Sequence, residues 1–195
     1  MSWKSINGQN AGIPFCTFIV PTIGRDTLKR TLQSLADQTD PDWNAVVVAD
    51  CVENFALPLA HDRILSVNLA ARVGSANHGA KVRNHAMSLA NGDWLVFVDD
   101  DDRLDARYVE WLRLESTDAD VVVFRMTNGS GVWPSGDNLG PSGVGISFAI
   151  RSEFQREKGL VFSPDAMEDW WFLDAAMRAG ARRLVSDKVA YYVRH

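Results

Sequence analysis

Continuous apolar runs alternate along the chain with stretches whose apolar positions recur at helical spacing. Phe15 to Val20 is the first such run, and Pro21 and Gly24 stop it, which predicts a buried strand followed by a loop. Asp26 then stands where a helix cap is needed. Leu28, Leu32 and Leu35 recur at helical spacing behind it, and the pattern fades between Gln38 and Pro41. Ala45 to Ala49, with three valines, is the next continuous run. Unbroken rather than alternating hydrophobicity marks a parallel strand covered on both faces. Asp50 therefore sits at a strand's carboxyl end. Ile64 to Leu69 reads as a third strand, and Gly74 to Gly79 as a polar loop. A helix follows that places Arg83 and Asn84 two to three turns in and carries Ala86, Leu89 and Ala90 to a stop at Asn91 and Gly92.

Trp94 to Val98 is again continuously apolar and runs straight into Asp99, Asp100, Asp101 and Asp102. Beyond it the pattern gives a helix around Tyr108, Val109 and Leu112, and a strand from Val121 to Met126. Thr127 to Gly145 is a Gly, Ser and Pro-rich segment that reads as a flexible loop. Ile146 to Ile150 is a strand, Met167 to Ala179 a helix, and Leu184 to Val193 a final strand or two. Such alternation predicts an α/β sandwich whose sheet is largely parallel in its N-terminal half. One domain over residues 1–195 is expected, with 1–13 a polar, flexible lead. In sheets of this kind ligands bind beyond the carboxyl ends of the strands, where the loop after Val20, Asp50 and the aspartate run all fall.

The aspartate run is the most unusual feature. Two unit charges 4 Å apart repel by about 4 kcal/mol at an effective dielectric near 20, so four adjacent carboxylates at the end of a buried strand call for a divalent cation. In an extended segment Asp99 and Asp101 point to one side and Asp100 and Asp102 to the other. Mg²⁺ or Mn²⁺ takes one or two such carboxylates and fills its other positions with phosphate oxygens and water. The plainer alternative is a solvated acidic turn that caps the helix beginning near Asp105. Asp50 suits a nucleobase or ribose contact, or a loop cap. Arg83 suits a diphosphate, or one of the aspartates.

Glu168 and Asp169 open the helix that continues through Trp170, Trp171, Phe172 and Leu173. Acids in a first helical turn suit the macrodipole on structural grounds alone. The chemical reading is a general base for an acceptor hydroxyl, flanked by tryptophans that offer a sugar-stacking wall. On that reading an ordinary, ionised Asp suffices, with the dipole holding its proton affinity down. His195 is a cation ligand if the last strand docks beside the aspartates. His61, His78 and His85 have no ligand spacing among them.

Composition narrows the classes. Hydrophobic residues make up 46% and charged residues 23% of the 195, as in ordinary folded domains rather than disordered chains. A net charge of -5 argues against a general nucleic-acid or anionic-membrane surface. Cys16 and Cys51 each border an apolar run and read as buried core residues of a reduced, cytoplasmic protein. No stretch approaches the roughly 20 apolar residues of an integral membrane segment, and the N-terminus lacks a signal peptide's apolar stretch.

Four stretches together resemble the family 2 glycosyltransferases, inverting enzymes of the GT-A fold: PFCTFIVPTIGR from Pro14 to Arg25, VVVAD ending at Asp50, KVRNHAMSLANGDWLVFVDDDD from Lys81 to Asp102, and MEDWWFLDAAMRAG from Met167 to Gly180. The third is the most specific, since an Arg-Asn helix, an Asn-Gly turn, an apolar strand and an Asp-rich end occur in the family's order. The resemblance, over about residues 15–195, implies a three-layer α/β/α sandwich with a mainly parallel, mixed central sheet. It implies a nucleotide-sugar donor, UDP-sugar foremost, gripped by Pro21, Thr22, Arg25, Asp50, Arg83, Asp99 and Asp100. It implies Mn²⁺ or Mg²⁺ on Asp101 and Asp99 with His195, and Asp169, paired with Glu168, as catalytic base. Asp100 and Asp102 are an ambiguity of register within the motif. The acceptor, whether carbohydrate, lipid-linked or protein, is unspecified, because many relatives continue past the position of His195. Thr127 to Gly145, with Trp133, is the candidate lid or acceptor contact. Two rivals are a sugar nucleotidyltransferase, which would carry a Gly-rich basic phosphate loop where this chain has only Gly24 and Arg25, and a non-catalytic binding module of the same fold.

Overall fold

The structure is a computed structural model that describes residues 12–74, 79–141 and 143–194. Its elements in chain order are β1 (Cys16–Thr22), α1 (Leu28–Ala36), β2 (Trp43–Ala49), β3 (Ile64–Asn68), α2 (Ala80–Leu89), β4 (Trp94–Phe97) and β5 (Arg103–Leu104). There follow α3 (Tyr108–Glu115), β6 (Val121–Thr127), β7 (Val132–Trp133), β8 (Phe148–Arg151), α4 (Ser152–Glu157), α5 (Glu168–Arg178) and β9 (Arg183–Tyr192).

The nine strands of the described residues form one sheet in the order β3-β2-β1-β4-β8-β6-β9-β5, with β7 hydrogen-bonded to β6. The four N-terminal strands are mutually parallel, as their unbroken apolar runs predict. Beyond β4 the sheet is mixed: β8 runs antiparallel to both β4 and β6, and β9 runs parallel to β6. The carboxyl ends of β1, β2, β4, β6 and β9 therefore share one edge of the sheet.

Register explains how both faces are covered. Ile19 pairs with Phe97 and Phe18 with Val96, so each pair projects to one face and the two pairs to opposite faces. On one side Phe97 meets Phe162 at 5.0 Å and Phe172 of α5 at 5.6 Å. On the other, Phe18 meets Tyr108 of α3 at 6.4 Å and Trp43 at 5.6 Å. Helices thus cover both faces, which is the three-layer sandwich. Each such aromatic contributes about 1.5–3 kcal/mol by leaving water.

Several local expectations change. The first strand continues through Pro21 and Thr22 instead of stopping. Ile19 accepts a hydrogen bond from Val98 on the β4 side and Thr22 accepts one from Asp50 on the β2 side, so Pro21, like Ile19, faces β4. Its pairing with β4 ends at Ile19, and the missing N–H costs no ladder bond. Asp26 does not cap α1, whose first flanking residue is Thr27. Arg83 is only the fourth residue of α2, one turn in rather than two to three. Cys16 is buried but Cys51 is exposed, because at φ 57° it turns the chain out of the sheet after Asp50. Both are free thiols. No helix among the described residues is long and apolar enough to cross a membrane. Most of the expected N-terminal lead, residues 1–11, lies outside the described residues.

Candidate active site

The aspartate run is not extended. Asp102 N–H donates to the Asp99 carbonyl at 3.1 Å, closing a turn over Asp100 and Asp101. Strict alternation is thereby lost, and carboxylate oxygens of Asp99, Asp101 and Asp102 come within 4.8 Å of one another. Asp100 is directed back at β1 instead. It is 2% exposed and accepts from Thr22 Oγ1 at 2.6 Å, from the Ile23 N–H at 3.3 Å, and from the Arg25 guanidinium. Arg25 also lies 3.7 Å from Asp101. Thr22 Oγ1 in turn accepts the Gly24 N–H at 2.9 Å, so Asp100 fixes the loop after β1.

Three carboxylates on a tight turn suit an oxygen-preferring divalent cation, and Asp102 is the most buried of the three. Burial, then the charge of Asp99, pushes its pKa up to about 7. Hydrogen bonds from the Arg194 N–H, at 2.7 Å, and from Tyr191 work the other way. Tyr191 Oη accepts the Asp99 N–H at 3.1 Å, so this buried tyrosine ties β9 to both ends of the turn. The last strand does dock beside the aspartates. His195, the expected ligand one residue beyond Arg194, lies outside the described residues.

Asp50, 3% exposed, takes the Val73 N–H on one oxygen at 2.7 Å and the Gly74 N–H on the other at 3.0 Å. It holds the loop after β3 against the end of β2, and a carboxylate with about four acceptor sites retains capacity for a ligand. Pro21 lines the same edge, 3.5 Å from where a Cβ on Gly79 would stand.

Arg83 is 5% exposed and lies between two acids, donating to Asp99 and to Glu168. Glu168 also accepts the Gly79 N–H on Oε1 and the Ala80 N–H on Oε2, each at 3.0 Å. These are orphan amides of the first turn of α2. The neighbouring Asn84 clamps Phe162 by its backbone, donating to its carbonyl at 2.9 Å and accepting its N–H at 2.8 Å. That clamp holds the segment entering α5 against α2.

Asp169 differs from Glu168. Its Oδ1 is enclosed and has no hydrogen-bond partner among the described residues. Burial raises its pKa to about 7; the Arg83 cation opposes this, and the charges of Asp99 and Glu168 add to it. The expectation of an ordinary aspartate restrained by the helix dipole is corrected, because enclosure outweighs the dipole. Trp171 is turned outward, 38% exposed, with its Nε1–H donating to Asp165 at 3.2 Å. Sequence reasoning missed Tyr191 and Arg194, which carry no motif, and gave Asp102 less than its place in the cluster.

The model of glycosyl transferase family 2 matches residues 17–165. The chain belongs to that family. It is 30% identical over 97 residues to TuaG of Bacillus subtilis strain 168, a protein assigned by name to teichuronic acid biosynthesis, with 46% of this chain and 37% of that protein covered. It is 31% identical over 123 residues to the poly(ribitol-phosphate) beta-N-acetylglucosaminyltransferase TarS of Staphylococcus aureus, covering 58% of this chain and 22% of TarS. This family 2 glycosyltransferase therefore spans well under half of the curated relatives it matches. The fold is that of the S. aureus TarS fragment 1–349 solved with UDP, at TM-score 0.77, 23% identity, and coverage of 91% of this chain and 60% of that one. It is also that of the mannosyltransferase PcManGT from Pyrobaculum calidifontis, solved with GDP-Man and Mn²⁺, at TM-score 0.69, 20% identity, and coverage of 93% and 57%. The matched family region ends before Glu168 and Asp169, whose roles rest on the geometry above.

Proposed function

We propose that this glycosyltransferase moves a sugar from a nucleoside-diphosphate sugar, a UDP-sugar, to an acceptor hydroxyl with inversion at the anomeric carbon. The observation that carries the reading is the half-buried carboxylate of Asp169, one oxygen of which has no hydrogen-bond partner among the described residues, on the sheet edge that also bears the cluster of Asp99, Asp101 and Asp102. A carboxylate with a proton affinity near neutrality is matched to deprotonating an alcohol as it attacks. The acceptor oxygen forms its bond to the anomeric carbon opposite the diphosphate, its proton passes to the Asp169 carboxylate, and the bond to the diphosphate oxygen breaks.

Asp99, Asp101 and Asp102, with His195 as the expected fourth ligand, would hold Mn²⁺ or Mg²⁺, which neutralises the charge of the departing diphosphate. Arg25, whose side chain is 43% exposed, is placed at the rim to approach the diphosphate while Asp100 and Thr22 fix its loop. Asp50 and Pro21 shape the floor for the nucleoside. UDP is favoured over GDP by the nearer structural neighbour, solved with UDP. The segment after β6 leaves the sheet at this same edge. Its start is pinned by the β7 pairing and by Arg125, which donates to the Pro134 carbonyl at 2.5 Å, and the remainder is the acceptor contact. The exposed free thiol of Cys51 fits a reducing, cytoplasmic setting.

The test is a panel of UDP-, GDP- and dTDP-sugars with Mn²⁺ and a set of carbohydrate, lipid-linked and protein acceptors, scored for nucleoside diphosphate release and product. Acceptor-dependent UDP release supports the reading. Pyrophosphate release from a nucleoside triphosphate would support the nucleotidyltransferase instead, and nucleotide binding with no turnover on any acceptor the non-catalytic module.

A further inference from the structure

Glu168 and Asp169 are adjacent acids with opposite circumstances. Asp169 Oδ1 has no partner among the described residues, whereas both oxygens of Glu168 are engaged, by the Gly79 and Ala80 amides and by Arg83. An acid whose oxygens already accept three N–H groups is badly placed to receive a proton from substrate.

Arg83 is boxed in. A Cβ on Gly79 would stand 3.0 Å from its Nη1, the Phe162 ring centre lies 5.5 Å from its guanidinium carbon, and its Nε is buried without a partner among the described residues. Its two terminal nitrogens are shared between Glu168 and Asp99. A buried arginine facing Asp99 alone would form a neutral pair and withhold that carboxylate from a cation. With Glu168 present two carboxylates share one guanidinium, so Arg83 only partly compensates Asp99.

We propose that Glu168 is a positioning residue, not a second acid-base group: it balances Arg83 and anchors the first turn of α2, leaving Asp99 available to a divalent cation. This rests on the metal reading of the cluster given above.

Mn²⁺ binding by calorimetry and amide exchange over residues 79–83 test it in the wild type, Glu168→Gln, Arg83→Met and the double variant. Glu168→Gln keeps the shape and one acceptor but loses the charge. It is expected to weaken Mn²⁺ binding about tenfold, as loss of a charge-assisted hydrogen bond does, and to speed exchange at Gly79 and Ala80 about tenfold. In the Arg83→Met background the same change should alter Mn²⁺ affinity less than about twofold, because the cation it balances is gone. At saturating Mn²⁺ and donor, Glu168→Gln should retain most of kcat. A collapse of kcat with Mn²⁺ affinity and amide exchange unchanged would overturn the proposal and make Glu168 a chemical participant. An equal loss of Mn²⁺ affinity with and without Arg83 would also overturn it. A wild type that binds no cation would sink the metal reading itself, and unchanged exchange at Gly79 and Ala80 would then sink the anchor separately.

Discussion

Replacing Asp169 by Asn should cost activity and improve stability, and both follow from the enclosure of one oxygen. The amide cannot accept a proton, so turnover should fall by about 10²–10⁴, the usual contribution of a positioned general base. Stability moves the other way with pH. Below pH 3.8 the carboxyl is protonated in folded and unfolded chains alike, and its burial carries no charge penalty. Between pH 3.8 and about 7 the unfolded chain has released a proton that the folded chain keeps, so wild-type stability falls as pH rises. Above about 7 the full penalty stands. The gap from 3.8 to about 7 corresponds to at most about 4 kcal/mol, and partial access of solvent to Asp169 reduces it to about 2 kcal/mol. At roughly 2–4 °C per kcal/mol for a chain of this size, Asp169→Asn should melt about 4–8 °C above wild type at pH 8 and within about 1 °C at pH 4. Thermal melts across that range, with transfer assays on the same samples, check both halves. A variant within tenfold of wild-type turnover, or a stability gap that does not grow with pH, would refute the enclosed-base reasoning.

Three further outcomes are expected. Asp100→Ala should destabilise by about 2–3 kcal/mol in urea titrations, since it strands Thr22 and Arg25, while Asp101→Ala at the rim should cost under about 1 kcal/mol but abolish Mn²⁺ binding. Gly92→Ala should cost about 1–3 kcal/mol by the same titration, because its Cβ would stand 2.6 Å from the Cys16 and Thr17 backbone of β1. The pH profile of kcat/KM should fall about tenfold per unit below about pH 7, where Asp169 protonates, and a flat profile between pH 5 and 8 would contradict the raised pKa.

The strands that build the site edge were legible because burial on both faces leaves an unbroken apolar run, as in Ala45 to Ala49 and Trp94 to Val98. The placing of the loop after β1, Asp50 and the aspartate run along one edge followed from the rule that ligands sit at strand carboxyl ends, whereas Asp169, on a helix, was reached only by resemblance. What the chain concealed depends on tertiary neighbours. The two-residue strands β5 and β7 and the six-residue α4 are too short to carry periodicity. Glu168 reads as a helix-opening acid until its partners, 85 to 89 positions away, are brought to it. The proton affinities of Asp102 and Asp169 come from burial, which no local pattern encodes. The turn closed by Asp102 N–H on the Asp99 carbonyl converts an alternating row into a three-carboxylate cluster with Asp100 turned away.

The most direct measurement is calorimetric titration of UDP into the protein with and without Mn²⁺. Binding that requires Mn²⁺, and is lost when Asp101 is changed to Ala, is the predicted result. UDP binding of the same strength without the metal would contradict a cation site at Asp99, Asp101 and Asp102.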